Sequence, residues 1–468
     1  MKVKLIFPSM SSEIDLLGGR SPVSEVINRL LGWGRSNYTP PLSLLMLAAV
    51  TPPGIEVQLV DERLETLDFD DPVDLVGVSV VTYAAPRAYQ VAAEYRQRGV
   101  KVVFGGIHPS ALPKEAALHA DALVLGEGES AWVDLLADFQ RGALQAIYRG
   151  RPQMDLDALP FPRRSILPHP EKYLTTKVLT ATRGCPNTCT FCSAGVGLLK
   201  KYRKRSMESV IAELEQVPGK LAIFFDDNIG WEPEYAKALF RAMIPLHLRW
   251  YGELSANALD DPELVDLAAQ SGCFMLGVGF ESISPQVITS IRKTQTNHPE
   301  RYAAQIRRLQ NAGIVTWAGF MLGFDDDDLG SFSGLAEFIE RVNLEIVSLY
   351  LLTPFPGSVL FRQYDRQDRL LHKDWGNYEP ADGACVFLPK QMTPAQLMDN
   401  FLALQEQVYS LKAVLGRLRR SPTWFSMGSL AALHLNLESR SSLPELRKKM
   451  EAYKRQVFDN YSGTPAST

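Results

Sequence analysis

Apolar residues in the first third of the chain fall in short unbroken runs rather than in alternation. Residues 3–8 (VKLIFP), 57–61 (VQLVD), 75–82 (LVGVSVVT), 100–106 (VKVVFGG) and 122–126 (ALVLG) are five such runs. Between them lie stretches of helical period, such as 85–98 (APRAYQVAAEYRQR), and the short apolar segment 41–50, which reads as a buried helix. A strand that is apolar on both faces belongs in a sheet covered on both sides, so the pattern predicts a parallel α/β sheet. Each run ends in Gly, Asp, Thr or Pro, which puts the loops at the carboxyl edge, where open α/β sheets bind ligands.

The rhythm breaks over 151–175, where LPFPRRSILPHPEKY carries four prolines and little periodicity, and a linker is expected. A second strand–helix series follows, with strands over 178–182, 222–226, 250–254, 276–280, 316–322 and 346–352 and helices such as 207–215 and 262–270. Six such units predict a partial TIM-like (β/α)6 barrel whose reactive face is at the carboxyl ends of the strands. From about Trp375 the pattern turns helical, with one long helix over 394–417 and another over 443–460, and the final SGTPAST reads as unstructured. The expected division is a doubly wound, Rossmann-like sheet domain over 1–150, a linker over 151–175, a barrel over 176–374 and a mainly helical region over 375–468.

Composition narrows the function classes. A chain of 468 residues, 46% hydrophobic and 22% charged, reads as a soluble protein of two to four domains. A net charge of −4 offers no basic excess for nucleic acid. No apolar stretch is long enough to span a membrane, which leaves only peripheral membrane contact open. The polar residues from Ser11 to Glu13 interrupt the start too soon for a secretory leader. Of five cysteines, Cys185, Cys189 and Cys192 fall within eight residues, whereas Cys273 and Cys385 stand alone in apolar surroundings and read as core thiols. An odd, clustered set argues against a disulfide framework and for a metal site in a reducing compartment, the cytoplasm.

The cluster lies in Thr182-Arg-Gly-Cys185-Pro-Asn-Thr-Cys189-Thr-Phe-Cys192, just after the first barrel strand. Three thiolates at C-x3-C-x2-C can hold three irons of a cubane and leave the fourth open to a small molecule. Zinc would want a fourth ligand nearby, and none is present in the sequence. Three structural thiols by chance is the remaining alternative.

This loop, with Phe191 before its last cysteine, resembles the fingerprint of the radical S-adenosylmethionine (SAM) superfamily, and the resemblance covers roughly 177–356. It implies a 4Fe–4S cluster on Cys185, Cys189 and Cys192 that binds SAM and cleaves it to a 5′-deoxyadenosyl radical. Asp226, Asp227 and Asn228 resemble the family's contact with the SAM amino group, though such residues also cap helices. Glu253, Ser255 and Asn257 look like positions that meet its carboxylate or ribose. Gly279 and Glu281 match a "GxES" segment, with a salt-bridged loop glutamate as the alternative for Glu281. Gly319 and Leu352 fit the fifth- and sixth-strand motifs around adenine. The run Asp325–Asp328 stands where the family has Pro and Glu, and reads as a solvated face.

The strand ends of the N-terminal sheet, with Ser79, Thr82 and Tyr83, then Gly105, Gly106 and His108, then Gly126, Glu127 and Glu129, together resemble a cobalamin-binding domain. The D-x-H-x-x-G pattern that supplies a histidine to cobalt is absent, Asp61-Glu62-Arg63-Leu64 standing in its place, and His108 fits edge packing better than cobalt ligation. The whole layout resembles the class that includes hopanoid C-methylases and anaerobic tetrapyrrole cyclases. The tail, with Trp375, Tyr378, Phe387 and Thr393, adds to that likeness and is expected to cover the barrel mouth. The resemblance implies a C-methyltransferase acting on an unactivated carbon of a small-molecule, lipid or polycyclic substrate, fed by an external one-electron donor such as flavodoxin or ferredoxin. Ring formation or oxidation of a tetrapyrrole-like intermediate is the alternative, and a non-catalytic cobalamin or tetrapyrrole carrier a remote third.

Overall fold

The computed structural model describes residues 1–9, 38–151, 154–193 and 201–458. The terminal segment read as unstructured, and the end of the last predicted helix, lie outside them. The N-terminal sheet contains β1 (Lys2–Phe7), β2 (Glu56–Asp61), β3 (Leu75–Ser79), β4 (Lys101–Gly105), β5 (Ala122–Leu125) and β6 (Ile147–Arg149). Their order is β2-β1-β3-β4-β5-β6, and every pairing is parallel. Strand β6 was not foreseen, because its Ile-Tyr-Arg is half exposed at the sheet edge and carries no apolar run. Helices α1 (Leu42–Val50), α2 (Ala85–Gln97) and α3 (Gly128–Gln140) cover the two faces. Leu44, Leu45 and Trp132 are buried on one face and Ala88, Val91 and Tyr95 on the other, which is why the strands between them can be apolar throughout.

The second sheet runs β7 (Val178–Leu179), β10 (Leu221–Phe224), β11 (Arg249–Leu254), β12 (Cys273–Glu281), β13 (Val315–Leu322) and β14 (Ile346–Leu351), in that spatial order and all parallel. This is the expected open barrel of six strands. Its first strand is shorter than predicted, because the chain leaves the sheet at Thr180 and enters an antiparallel pair, β8 (Thr182–Arg183) with β9 (Arg203–Lys204), that brackets the cysteine loop. Such a two-residue ladder has too little pattern to be read from sequence.

The segment read as a linker packs as three short 3-10 turns. Arg164 on it donates to the Val178 carbonyl and to Glu213 of α4 (Met207–Gln216), both at 2.5 Å. The predicted helix over 394–417 is two helices, α5 (Pro394–Val408) and α6 (Leu411–Arg420), because Ser410 caps a fresh start through its side chain. The last helix, α7 (Met427–Val457), begins sixteen residues before the predicted start and carries Pro444 in its interior. The tail also lies differently from expectation. Residues of α6 and α7 pack on Phe274, Met275, Val315 and Ile346, at the amino ends of the barrel strands, so they close its floor rather than its mouth. No helix among the described residues is long and apolar enough to cross a membrane.

Candidate active site

The cysteine loop hangs from the carboxyl end of β7 and is tied down at several points. The Asp226 carboxylate, fully enclosed, accepts from the backbone N–H groups of Ala181 and Thr182 and from the Thr182 hydroxyl. Burial pushes its pKa up to about 7 against these bonds. Asp227 accepts from the Gly184 N–H at 3.0 Å, one residue before the first cysteine. Thr190 donates to the Ile291 carbonyl at 3.1 Å and accepts from Leu360 at 2.8 Å, and Phe191 meets Phe324 edge-on at 6.1 Å. Asp226 therefore braces the loop from beneath and turns its oxygens away from any ligand.

Cys185, Cys189 and Cys192 are free and half-exposed in this loop. Burial raises the Cys185 thiol and pushes Cys189 up to about 11, with Lys293 acting in the opposite sense on both. Among the described residues no three His, Cys, Asp or Glu side chains are gathered into a closed metal set. Three free thiols, near enough for Cys185 and Cys192 to raise the pKa of Cys189, are nonetheless the donor chemistry an iron–sulfur cluster takes. Cys273 and Cys385 are buried, each with its thiol on a carbonyl two residues ahead, and take no part.

Below the loop the barrel encloses a cavity of about 510 Å³. Of the predicted SAM residues, Glu253, Gly279, Glu281 and Gly319 line it together, at the ends of β11, β12 and β13. Tyr251, Trp317 and Tyr350 complete an aromatic wall. Glu253 accepts from the Tyr251 hydroxyl at 2.9 Å, and enclosure by the barrel raises its pKa. Glu281 has φ 63°, a left-handed conformation that a non-glycine residue adopts at some cost. A short ion pair from Lys293 to Glu281 holds it there, while Lys293 also donates to the Gly279 carbonyl at 3.0 Å and Asn297 to those of Gly279 and Phe280. Burial opposes the charge on Lys293, but Glu281 and the Cys189 thiol outweigh it, and its pKa is raised. Neither Lys293 nor Asn297 was picked out from sequence. The one signal was a lone Lys in the turn after a predicted helix, twelve residues past Glu281.

The remaining predicted residues lie elsewhere. Asn228 and Ser255 are bonded to each other, by Asn228 Nδ2 to Ser255 Oγ at 2.6 Å and Ser255 N–H to Asn228 Oδ1 at 3.1 Å. Asn257 is exposed on a 3-10 turn, and Leu352 is buried with its N–H on the Leu322 carbonyl. The aspartate run is not a solvated face. Asp325 pairs with Arg369, Lys390 and Tyr364, and the buried Asp327 accepts from the Gly323 and Phe324 N–H groups at 3.0 Å, fixing the turn after β13.

A second cavity, of about 380 Å³, lies between the carboxyl edge of the N-terminal sheet and the cysteine loop. Ser79, Gly105, Gly106, Gly126, Glu127 and Glu129 line it, as expected. Gly106 has φ 105°, and a Cβ there would stand 2.8 Å from the Val80 carbonyl oxygen, so only glycine keeps this edge open. Thr82, Tyr83 and His108 do not line it, and no histidine does among the described residues. His108 is instead buried under the C-terminal region, on the Tyr89 hydroxyl at 2.8 Å and edge-on to Trp375. Burial lowers its pKa to about 4. Pro160, Phe161 and Pro162 of the expected linker form the far wall. Glu127 and Glu129 reach across to the barrel, Glu127 to Arg183 and Arg203 and Glu129 to Arg183 at 2.8 Å. Phe225, at the end of β10 and 43% exposed, is the one described residue that lines both cavities.

Two family models match the chain. Residues 179–339 match the Radical SAM superfamily and 31–136 the B12 binding domain, and the two matches coincide with the two cavities. Bacteriochlorophyllide d C-12(1)-methyltransferase of Chlorobaculum tepidum is 33% identical over 399 residues, 82% of this chain and 86% of the relative. This chain is a member of the radical SAM superfamily, in the class that carries a B12-binding domain. This radical SAM chain is also similar to hopanoid C-2 methylase of Rhodopseudomonas palustris, at 26% identity over 72% of this chain and 66% of that one. It is 25% identical to the anaerobic magnesium-protoporphyrin IX monomethyl ester cyclase of Rubrivivax gelatinosus, over 89% and 78% of the respective lengths. Its fold matches the radical SAM methyltransferase TsrM of Kitasatospora setae, solved with cobalamin and a 4Fe–4S cluster, with TM-score 0.65 and 16% identity over 96% of this chain and 99% of that one.

Proposed function

We propose that this radical SAM enzyme is a cobalamin-dependent C-methyltransferase acting on an unactivated carbon of an apolar, polycyclic small molecule. The observation that carries the reading is the position of Phe225, which puts the glycine-lined cleft and the barrel cavity on either side of one exposed ring. When bound, the cluster and SAM supply hydrogen-atom abstraction and cobalamin supplies the methyl group. Cys185, Cys189 and Cys192 would hold the cluster. Glu253 and Glu281 are acceptors suited to the SAM ammonium, and Lys293 is a donor suited to its carboxylate. Ser79, Gly105, Gly106 and Gly126 would border cobalamin, with no histidine from this chain on cobalt. Phe225 and the wall of Tyr251, Trp317 and Tyr350 exclude water and favour a flat apolar substrate. The polycyclic substrates in the names of the Chlorobaculum tepidum and Rhodopseudomonas palustris relatives support that class. The electron comes from a flavodoxin- or ferredoxin-type donor in a reducing cytoplasm.

Similarity to the cyclase supports a second reading, ring formation on a tetrapyrrole-like intermediate without methyl transfer. Metal analysis and product mass test both. Anaerobically purified protein is expected to hold about four irons and one cobalamin, and Cys185→Ala to lose the iron. A product heavier by one CH2 supports methyl transfer, and product mass without that gain supports the cyclase-type reading. Iron without cobalamin would sink the methyl-transfer mechanism. Phe225→Trp, which narrows the junction, is expected to slow turnover with both metals retained.

A further inference from the structure

The floor of the barrel carries a surface that the chemistry above does not use. Of the ten large hydrophobic side chains exposed among the described residues, four fall between 411 and 427: Leu411 at 46%, Leu415 at 41%, Phe425 at 91% and Met427 at 44%. They sit on α6 and on the turn that leads into α7. Phe425 has φ 75°, so an aromatic residue is held in a left-handed conformation while its ring stands in solvent. The neighbouring Trp424 ring, 5.2 Å away, is half-buried against the barrel floor and anchors the turn. A strained backbone that presents a nearly bare aromatic ring at a protruding tip gains nothing from the fold itself.

The charge of the same stretch is as unusual as its apolarity. The chain carries a net −4, yet residues 411–427 (LKAVLGRLRRSPTWFSM) hold four cations and no acidic residue. Arg417 is buried on Glu340, and Arg420 pairs with Glu340 and Asn343. Lys412 and Arg419 are exposed and have no carboxylate partner among the described residues. On a helix of 100° per residue, Leu411, Leu415, Arg419 and Lys412 share one side, flanking the stripe of Val414 and Leu418 that packs on the floor.

We infer that this surface docks the enzyme on an anionic lipid bilayer, with Phe425 and Met427 entering the interfacial layer and Lys412 and Arg419 meeting the headgroups. A protruding hydrophobic tip suits a deformable interface, whereas a folded partner would need a matching socket. Two copies of this basic surface would repel one another, and unpaired cations beside an aromatic tip match an anionic leaflet.

The test is co-sedimentation of the full-length, cluster-loaded enzyme with vesicles. Binding is expected to phosphatidylcholine vesicles carrying roughly 30% phosphatidylglycerol, and to be weak on phosphatidylcholine alone. The double variant Phe425→Asn with Met427→Ser keeps a residue at 425 that tolerates left-handed φ, and should lower the bound fraction roughly fivefold. The pair Lys412→Glu with Arg419→Glu should do the same at low salt. Both variants are expected to keep the wild-type iron content and thermal midpoint, which separates lost docking from lost fold. No binding by the wild type, or equal binding by the Phe425 variant, overturns the inference. So does a wild type that is dimeric without lipid and becomes monomeric in that variant, since the surface would then belong to a second copy.

Discussion

Lys293 shows how one side chain can serve loop, strand and charge at once. It neutralises Glu281, holds the Gly279 carbonyl and lies close enough to Cys189 and Cys192 to feel their charge. Removing it leaves a buried carboxylate unpaired in a left-handed residue, a loss of about 3 kcal/mol or more. Lys293→Ala is therefore expected to lower the thermal midpoint and raise KM for SAM. Lys293→Arg keeps the charge but cannot fit a single-ammonium site, and should recover stability better than SAM affinity. Titration of SAM binding alongside thermal unfolding checks both. At the same scale the sequence was only partly legible. Residue type and spacing pointed to the three thiols, but Asp226 and Asn228 share a motif with Asp227 and spend their polar atoms on the backbone and on Ser255 instead. Which way a side chain turns at a strand end depends on neighbours far away in sequence, such as Thr182, 44 residues from Asp226.

Among elements, the short pair of β8 and β9 matters more than its four residues suggest. It carries Arg183 and Arg203 to Glu127, and so couples the N-terminal sheet to the cysteine loop. Both arginines and the glutamate are largely buried, so the cost of breaking the cluster exceeds that of a surface pair. Glu127→Ala is expected to leave two cations facing the cleft, reduce retained cobalamin severalfold and leave iron content unchanged. Equal cobalamin in variant and wild type would show that the cleft does not depend on this strap. The six barrel strands and the first five of the N-terminal sheet were readable because buried strands are continuous apolar runs. Strand β6 and the β8–β9 pair were not, because edge and two-residue strands lack such a pattern. The break between α5 and α6 turns on one capping serine inside a sequence that is helical on both sides.

At the scale of the whole molecule, two buried histidines tie stability to pH. His108 lies under the C-terminal region and His434 lies within α7, and burial lowers both to about 4. Each takes up a proton near pH 6.5 when unfolded and near pH 4 when folded, so the unfolded chain binds more protons in that interval. Their contribution is complete above pH 6.5 and falls as pH drops toward 4, by up to roughly 3 kcal/mol each. The thermal midpoint should fall steadily from pH 7 to pH 4.5, and more shallowly in His108→Gln. An equal slope in that variant would remove His108 from the account.

The sequence by itself determined two parallel α/β layers, the three-thiol loop and the glycine-lined sheet edge, because apolar runs, cysteine spacing and strand-end glycines are local signals. Only the tertiary structure decided that the tail closes the barrel floor, that His108 is buried away from the cleft, and that Lys293 stands under the cysteines. It also decided that Phe225 separates two cavities. Each of these depends on which elements pack together across tens to hundreds of residues, and burial and pairing at that range leave no periodicity in the chain to read.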